Sequence, residues 1–146
     1  MDNKKVDILI IEDNPNDAEL TIRALKDKNV SNNIIVLEDG QEALDYLFCK
    51  KKYKDRNFNN KPKVILLDLK LPKVNGLEVL KELKSKDQTK TIPVVMLTSS
   101  TEENDLVESY KLGVNSYLVK PVDFNKFSES IENLGFYWIL LNKAPE

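Results

Sequence analysis

The chain lacks histidine entirely, and its 146 residues include one cysteine, one tryptophan and four glycines. Without histidine it cannot build a Ser-His-Asp or Cys-His catalytic site or a histidine-based zinc site. It also cannot carry a phosphohistidine of its own. The single cysteine, Cys49, excludes an internal disulfide bond. We interpret Cys49 as a small buried hydrophobic residue on an apolar helix face.

Long apolar runs and excess positive charge are also missing. No stretch approaches the length of a membrane span, and residues 1–5 lack the apolar core of a signal peptide. We therefore expect a cytoplasmic protein without membrane contact. The net charge of −2 gives no reason to expect a nucleic-acid partner. The length is that of one domain, which we place at residues 1–146.

Five apolar runs alternate with segments of helical periodicity along the chain. This alternation is typical of repeated βα units that form a parallel sheet, with right-handed crossovers placing helices on both of its faces. The pattern predicts a doubly wound α/β fold with its core at about residues 6–135. The predicted strands are Val6 to Ile11, Ile34 to Leu37, Val64 to Leu67, Val94 to Leu97 and Ser116 to Val119.

Local signals mark where some helices begin and end. Asn14 and Pro15 suit the N-cap and the first position of the first helix, and Gly113 suits a C-terminal cap. The segment 50–63 contains six lysines and interrupts the regular alternation. We interpret it as an extended, exposed loop that is either a solvated connection or a contact surface for a partner.

Polar residues follow the apolar strands at the point where each strand ends. Glu12 and Asp13 follow the first strand, Asp68 the third, Thr98 the fourth and Lys120 the fifth. In an open parallel sheet, ligands bind in the crevice outside the carboxyl ends of the strands. Carboxylates gathered there repel one another unless a cation neutralises them. The pattern therefore indicates a hard metal ion and phosphoryl chemistry.

The residue types at these strand ends suggest separate roles. A magnesium ion held by one or two carboxylates, a backbone carbonyl and waters would allow Asp68 to be tolerated after an apolar run. Asp68 is the candidate nucleophile, because aspartate can form an aspartyl-phosphate. Lys120 fits as a point-charge ligand for phosphoryl oxygens, and the Thr98 hydroxyl can donate a hydrogen bond to another.

The same residues carry a resemblance to a known family. The run from Asp68 to Gly76 resembles the phosphoacceptor loop of receiver domains in two-component response regulators. Further receiver motifs match Glu12–Asp13, Thr98–Ser100 and Tyr117–Pro121, with the spacings of that family. The resemblance implies a flavodoxin-like (βα)5 fold with a five-stranded parallel sheet in the order 2-1-3-4-5.

The resemblance also implies the site and its reaction. A partner histidine kinase would pass a phosphoryl group from its phosphohistidine to Asp68, with Mg²⁺ held by Glu12, Asp13, Asp68 and the backbone carbonyl of Lys70. Two positions match the switch pair of receivers: Thr98, which moves toward the phosphoryl group, and Tyr117, which turns inward. The alternative for Tyr117 is a packed strand aromatic without a switching role.

One further position matches the receiver motifs, and two positions are notable departures or additions. The bond between Lys120 and Pro121 matches one that is often cis in receivers, although trans is the default for such a pair. Asn75 stands where receivers often have aspartate, and the side chain of Lys70 places a cation near the acceptor.

The long loop 50–63 and the apolar tail 135–146 are similar to stand-alone regulators that serve bacterial phytochromes. This similarity suggests a sensor histidine kinase of the bacterial phytochrome type as a partner. Too few residues follow Lys120 for an effector domain, so we expect a downstream protein to read a change of surface. The tail either packs on its own domain or forms a homodimer surface.

Other classes of function are compatible with parts of the sequence. A receiver-like scaffold that works without phosphorylation is one, although the acidic residues of a working receiver are present. A phosphatase with an aspartate nucleophile needs a second acid two residues later, where this chain has Lys70. A nucleotide-binding fold lacks its glycine-rich loop. We therefore expect a phosphoacceptor signalling protein rather than an enzyme.

Overall fold

The computed structural model describes residues 6–26, 33–99, 111–114 and 116–120, together with positions 108, 123, 125, 126 and 129. Strands and helices alternate along this part of the chain, with one 3₁₀ turn at Lys51–Tyr53 after the second helix. The elements are β1 (Ile8–Ile11), α1 (Pro15–Lys26), β2 (Ile34–Leu37), α2 (Gly40–Leu47), β3 (Val64–Asp68), α3 (Gly76–Ser85), β4 (Val94–Thr98) and β5 (Ser116–Val119).

The five strands form one parallel sheet in the order β2-β1-β3-β4-β5, which confirms the predicted topology. The prediction was wrong at the start of β1, which begins at Ile8 rather than Val6. Both neighbouring strands begin opposite Ile8, at Ile34 and Val64. The backbone of Asp7 still bonds to the residues where these strands start, since its amide donates to the Asn33 carbonyl at 2.9 Å and its carbonyl accepts from the Val64 amide at 3.2 Å. The strands β3 and β4 each extend one residue further than predicted, to Asp68 and Thr98.

Short polar side chains cap the starts of helices α1, α2 and α3. Asn14 Oδ1 accepts hydrogen bonds from the backbone of Asn16 and Asp17 at 2.9 and 3.1 Å, and α1 begins at Pro15 as predicted. Asp39 caps α2 and Asn75 caps α3 in the same way. Asn75, at the position where the sequence departs from the motif that it resembles, therefore serves as an N-cap. These caps hold the loops that follow the carboxyl ends of the strands.

Apolar side chains of the sheet fill a core on each of its faces. Ile8 and Ile10 pack on the α1 side with Leu25, and the alternate residues of β1 pack on the side of α2 and α3. All four residues of β1 are fully buried, as expected for a strand covered on both faces. The prediction that helices cover both faces is therefore confirmed for α1, α2 and α3.

Several predicted features lie wholly or partly outside the described residues. They include most of the helix after β4, most of the final helix, the Lys120–Pro121 bond and the tail 135–146. Gly113 is described, and its φ of 96° is the conformation that the predicted C-terminal cap requires.

Two residues anchor the loop 50–63 to α2. Tyr53 packs edge-on against Tyr46, with ring centroids 5.1 Å apart, and donates a hydrogen bond to Glu42 Oε2 at 2.7 Å. The Arg56 guanidinium lies 3.7 Å above the Tyr46 ring and donates to the carbonyls of Tyr46 and Asn60. The loop is therefore held by partly buried contacts, while most of its lysines stay exposed.

The prediction for Cys49 was wrong. Helix α2 ends at Leu47, and Cys49 lies in the turn after it with a φ of 54°. Its thiol is partly buried, with the sulfur 3.5 Å from Arg56 Nη1. The apolar periodicity of the helix continues past its last hydrogen-bonded turn, so sequence pattern alone does not show where the helix stops.

We expect Arg56→Ala to lower the free energy of unfolding by about 2 kcal/mol, because it removes a cation–π contact and two hydrogen bonds to carbonyls. Urea denaturation measures the change. Arg23→Ala is the matched control, since Arg23 is exposed and pairs with Glu19 one turn earlier on α1. That variant should cost less than about 0.5 kcal/mol. Equal losses in the two variants would contradict an anchoring role for Arg56.

Candidate functional site

The fold brings the predicted strand-end residues to one edge of the sheet. Asp68 ends β3, Thr98 ends β4, and Glu12, Asp13 and Lys120 follow β1 and β5 directly. In a parallel sheet, the carboxyl ends of all strands lie at the same edge. These residues therefore lie next to one another at the ends of β1, β3, β4 and β5. The crevice predicted from the strand ends therefore exists.

Three acids converge in this crevice. Glu12 and Asp68 are 3% and 5% exposed, whereas Asp13 is exposed to solvent. One carboxylate oxygen from each of the three lies within 4.8 Å of the others. Carboxylate oxygens in this arrangement are the donor set that hard divalent cations prefer. The residues present therefore fit a divalent metal ion.

Lys120 crosses the crevice to reach the acids. Its Nζ atom lies 2.6 Å from Glu12 Oε1, 3.1 Å from Asp68 Oδ2 and 3.0 Å from Asp17 Oδ2. Burial favours the neutral amine, yet the hydrogen bonds to these three carboxylates raise the pKa of Lys120 above its usual range. Lys120 is therefore a fixed positive charge beside Asp68.

Burial and a neighbouring acid raise the pKa of Glu12. Burial and the neighbouring Asp68 carboxylate raise the pKa of Glu12 to about 7, although Lys120 and the Asn14 backbone act in the opposite direction. The Asn14 amide donates to Glu12 Oε2 at 3.2 Å. A cation placed beside these acids would act in the same direction as Lys120 and favour the ionised form of Glu12.

The loop after β3 is closed around Asp68. The Lys70 amide donates to Asp68 Oδ1 at 3.3 Å, and the Gly76 amide donates to the Leu69 carbonyl at 2.8 Å. A Cβ atom on residue 76 would overlap the carbonyl oxygens of Asp68 and Leu69, so this close approach requires glycine. Lys70 therefore lies beside the acids, and the role of its carbonyl as a metal ligand stays a prediction.

The two predicted switch residues lie on adjacent strands. The backbone of Thr98 ends β4 opposite Val119, and its side chain lies outside what the structure describes. Tyr117 pairs with Met96 and is partly buried against the core on the α2 and α3 side. Its packing fits a strand aromatic, and its inward movement stays a prediction.

Asp17 is a residue of the site that the strand-end pattern did not indicate. This residue lies in the first turn of α1, three positions after the N-cap Asn14, and its carboxylate binds Lys120. An acid in the first turn of a helix that follows β1 lies near the carboxyl edge of the sheet, which is the signal that could have identified it. Acids at that position are common for another reason, their favourable interaction with the helix dipole.

No helix among the described residues is long and apolar enough to cross a membrane.

The closed loop after β3, the three converging acids and Lys120 belong to one compact site at the carboxyl edge of the sheet.

Curated relatives and solved structures resemble the chain over most of its length. It is 41% identical over 138 residues to the probable methanogenesis regulatory protein FilR2 of Methanothrix harundinacea, covering 94% of this chain and 86% of the relative. It is 37% identical to response regulator Rcp1 of Synechocystis, covering 90% and 88%. The structure of Mn²⁺-bound Rcp1 covers 98% of this chain and 100% of its own, with a TM-score of 0.75.

The structure of the bacteriophytochrome response regulator AtBRR is also similar. It is 54% identical to this chain, has a TM-score of 0.84 and covers 96% of this chain and 99% of its own. The family profile of the response regulator receiver domain matches residues 8–132. The sheet order, the acidic crevice and this match agree, and the chain belongs to the response regulator receiver domain family.

Proposed function

We propose that the protein is a stand-alone response regulator that accepts a phosphoryl group on Asp68 in a Mg²⁺-dependent reaction. One observation carries the proposal. Lys120, at the end of β5, reaches across the sheet to bind Asp68 on β3, at the point where Glu12, Asp13 and Asp68 converge. A buried carboxylate beside a fixed cation and two further acids is equipped to receive a phosphoryl group.

Asp68 supplies the nucleophile in this proposal. A carboxylate oxygen attacks phosphorus, and the bond from phosphorus to the donor nitrogen breaks as the new bond to oxygen forms. The donor imidazole leaves with the electron pair. Lys120 donates to a phosphoryl oxygen and stabilises the charge spread over it during transfer. The Thr98 hydroxyl donates to a second phosphoryl oxygen.

Glu12, Asp13, Asp68 and the Lys70 carbonyl would hold the magnesium ion. Bound there, the ion supplies a positive charge that offsets the charge of the acids and of the phosphoryl oxygens. Two observations support it: the convergence of the three acids and the Mn²⁺ bound in the related Rcp1 structure. Response regulator receivers bind a divalent metal at an acidic pocket, and magnesium is the ion we propose for this chain.

The output of the protein is a change of surface rather than a reaction product. Thr98 and Tyr117 carry that change, with the hydroxyl moving toward the phosphoryl group and the ring turning inward. Response regulators are signalling proteins, and a downstream protein reads the switched surface. We place the single receiver domain at residues 1–146, in the cytoplasm, and infer a homodimer as one use of the apolar tail.

A sensor histidine kinase of the bacterial phytochrome type is the proposed donor. The similarity to AtBRR, a bacteriophytochrome response regulator, supports this choice. FilR2 is a relative whose name states a different role, the regulation of methanogenesis. The kinase therefore requires its own measurement, separate from that of phosphorylation.

Incubation with acetyl phosphate and Mg²⁺ tests the proposed function by intact-mass analysis. We expect a mass gain of one phosphoryl group, located on the peptide that contains Asp68, and no gain when a chelator is present from the start of the incubation. Labelling that persists in chelator would contradict the metal dependence. Wild type that never labels would favour the phosphorylation-independent scaffold.

A second arm of the same experiment identifies the donor. A phosphorylated bacterial phytochrome kinase should transfer its label faster than a phosphorylated kinase of another sensor class. Equal transfer from both would contradict the phytochrome assignment while leaving Asp68 as the acceptor.

A further inference from the structure

Asp17 contacts the machinery of the site without belonging to its converging acids. Its Oδ2 atom lies 3.0 Å from Lys120 Nζ, but the group of acids whose oxygens meet is Glu12, Asp13 and Asp68. We propose that Asp17 is a positioning residue that holds the Lys120 ammonium group ready for the phosphoryl group on Asp68. This inference rests on the proposed function, since it concerns the same transfer.

The donors of Lys120 are all in use. An ammonium group has three N–H donors. The acceptors are Glu12 Oε1 at 2.6 Å, Asp17 Oδ2 at 3.0 Å and Asp68 Oδ2 at 3.1 Å. When a phosphoryl group replaces the acceptor on Asp68, the other two bonds keep the nitrogen in place. The third donor then points toward the transferred group.

The two supporting acids are tied to each other through Asn14. Glu12 Oε2 accepts from the Asn14 amide at 3.2 Å, and Asn14 Oδ1 accepts from the Asp17 amide at 3.1 Å. Lys120 binds both acids, so the four residues form a closed ring of hydrogen bonds. The helix cap fixes the backbone of Asp17. Its carboxylate therefore holds the end of the long, flexible Lys120 side chain at a second point, in addition to Glu12.

Asp17 can position Lys120 without also serving as a metal ligand, which distinguishes it from Glu12. Glu12 is a candidate metal ligand, and its side chain is 3% exposed, whereas that of Asp17 is 36% exposed. A competing explanation is that Asp17 only stabilises the first turn of α1 through the helix dipole. That role would affect folding stability and leave the transfer rate of the folded protein unchanged.

The test measures the rate constant for labelling by acetyl phosphate at saturating Mg²⁺, at a temperature where every variant is folded. Asp17→Ala should lower it by about threefold to tenfold, a modest effect because the carboxylate is partly solvated. Asp17→Asn should lower it less, because the amide keeps one acceptor oxygen for Lys120. Glu19→Gln is the control, two residues along α1 and paired with Arg23 instead. Its rate constant should match that of wild type.

The possible results separate the explanations. A lower urea midpoint with an unchanged rate constant, or faster labelling in Asp17→Ala, would overturn the positioning role while wild type still labels. A wild type that does not label would contradict the proposed function itself, and the inference would fall with it.

Discussion

Asp68→Asn should abolish labelling by acetyl phosphate in the presence of Mg²⁺. The amide of asparagine is not a nucleophile at phosphorus, although it nearly matches the shape of the carboxylate. Asp68 is 5% exposed at the end of the central strand β3, with Lys120 Nζ 3.1 Å from its Oδ2 atom. Intact-mass analysis over a time course measures the loss, which should be complete rather than partial.

Asp87→Asn is the matched control for this substitution. It makes the same chemical change at an exposed position outside the crevice, where Asp87 pairs with Lys90 at 2.8 Å. The control should label at the rate of wild type. Equal labelling of wild type and Asp68→Asn would refute the assignment of the phosphoacceptor, even if both proteins bind metal.

Gly76→Ala should lower the free energy of unfolding by about 3 kcal/mol, the upper part of the range for overpacking. The added Cβ would overlap the carbonyl oxygens of Asp68 and Leu69, and backbone atoms cannot move aside as a flexible side chain can. The Gly76 amide also closes the loop by donating to the Leu69 carbonyl at 2.8 Å. Urea denaturation measures the change.

The same substitution should slow phosphorylation, since displacement of the loop moves the backbone of Asp68 itself. We expect the labelling rate of the folded variant to fall by at least about tenfold. Lys81→Ala serves as a control in the same helix, at an exposed position where changes cost less than about 0.5 kcal/mol. A folded Gly76→Ala variant with normal stability and rate would show that the loop adapts.

Sequence patterns predicted most of the fold because the determinants are local. Continuous apolar runs predicted the five strands, and the polar positions at the strand ends identified Asp68 and Lys120 as site residues. The helix start at Pro15 follows from Asn14, a short polar side chain that caps the backbone one position earlier. These signals depend on neighbours in sequence, and sequence shows them directly.

Predictions failed where a boundary or a contact depends on partners distant in sequence. The strand β1 starts at Ile8 because its neighbours start there, and no residue near Val6 indicates this. Cys49 leaves the helix because α2 gives way to a turn closed by Arg56. Asp17 joins the site through Lys120, which lies 103 positions later in the chain.

The sequence by itself determined which chemical groups are available and at which end of each strand they occur. It also determined that the chain, lacking histidine, cannot carry its own phosphohistidine. Only the tertiary structure decided that Lys120 meets Asp68 and Glu12, which are 52 and 108 positions away in the chain. The physical reason is strand order. Since β3 lies at the centre of the sheet, a side chain from the edge strand β5 can reach it only across β4.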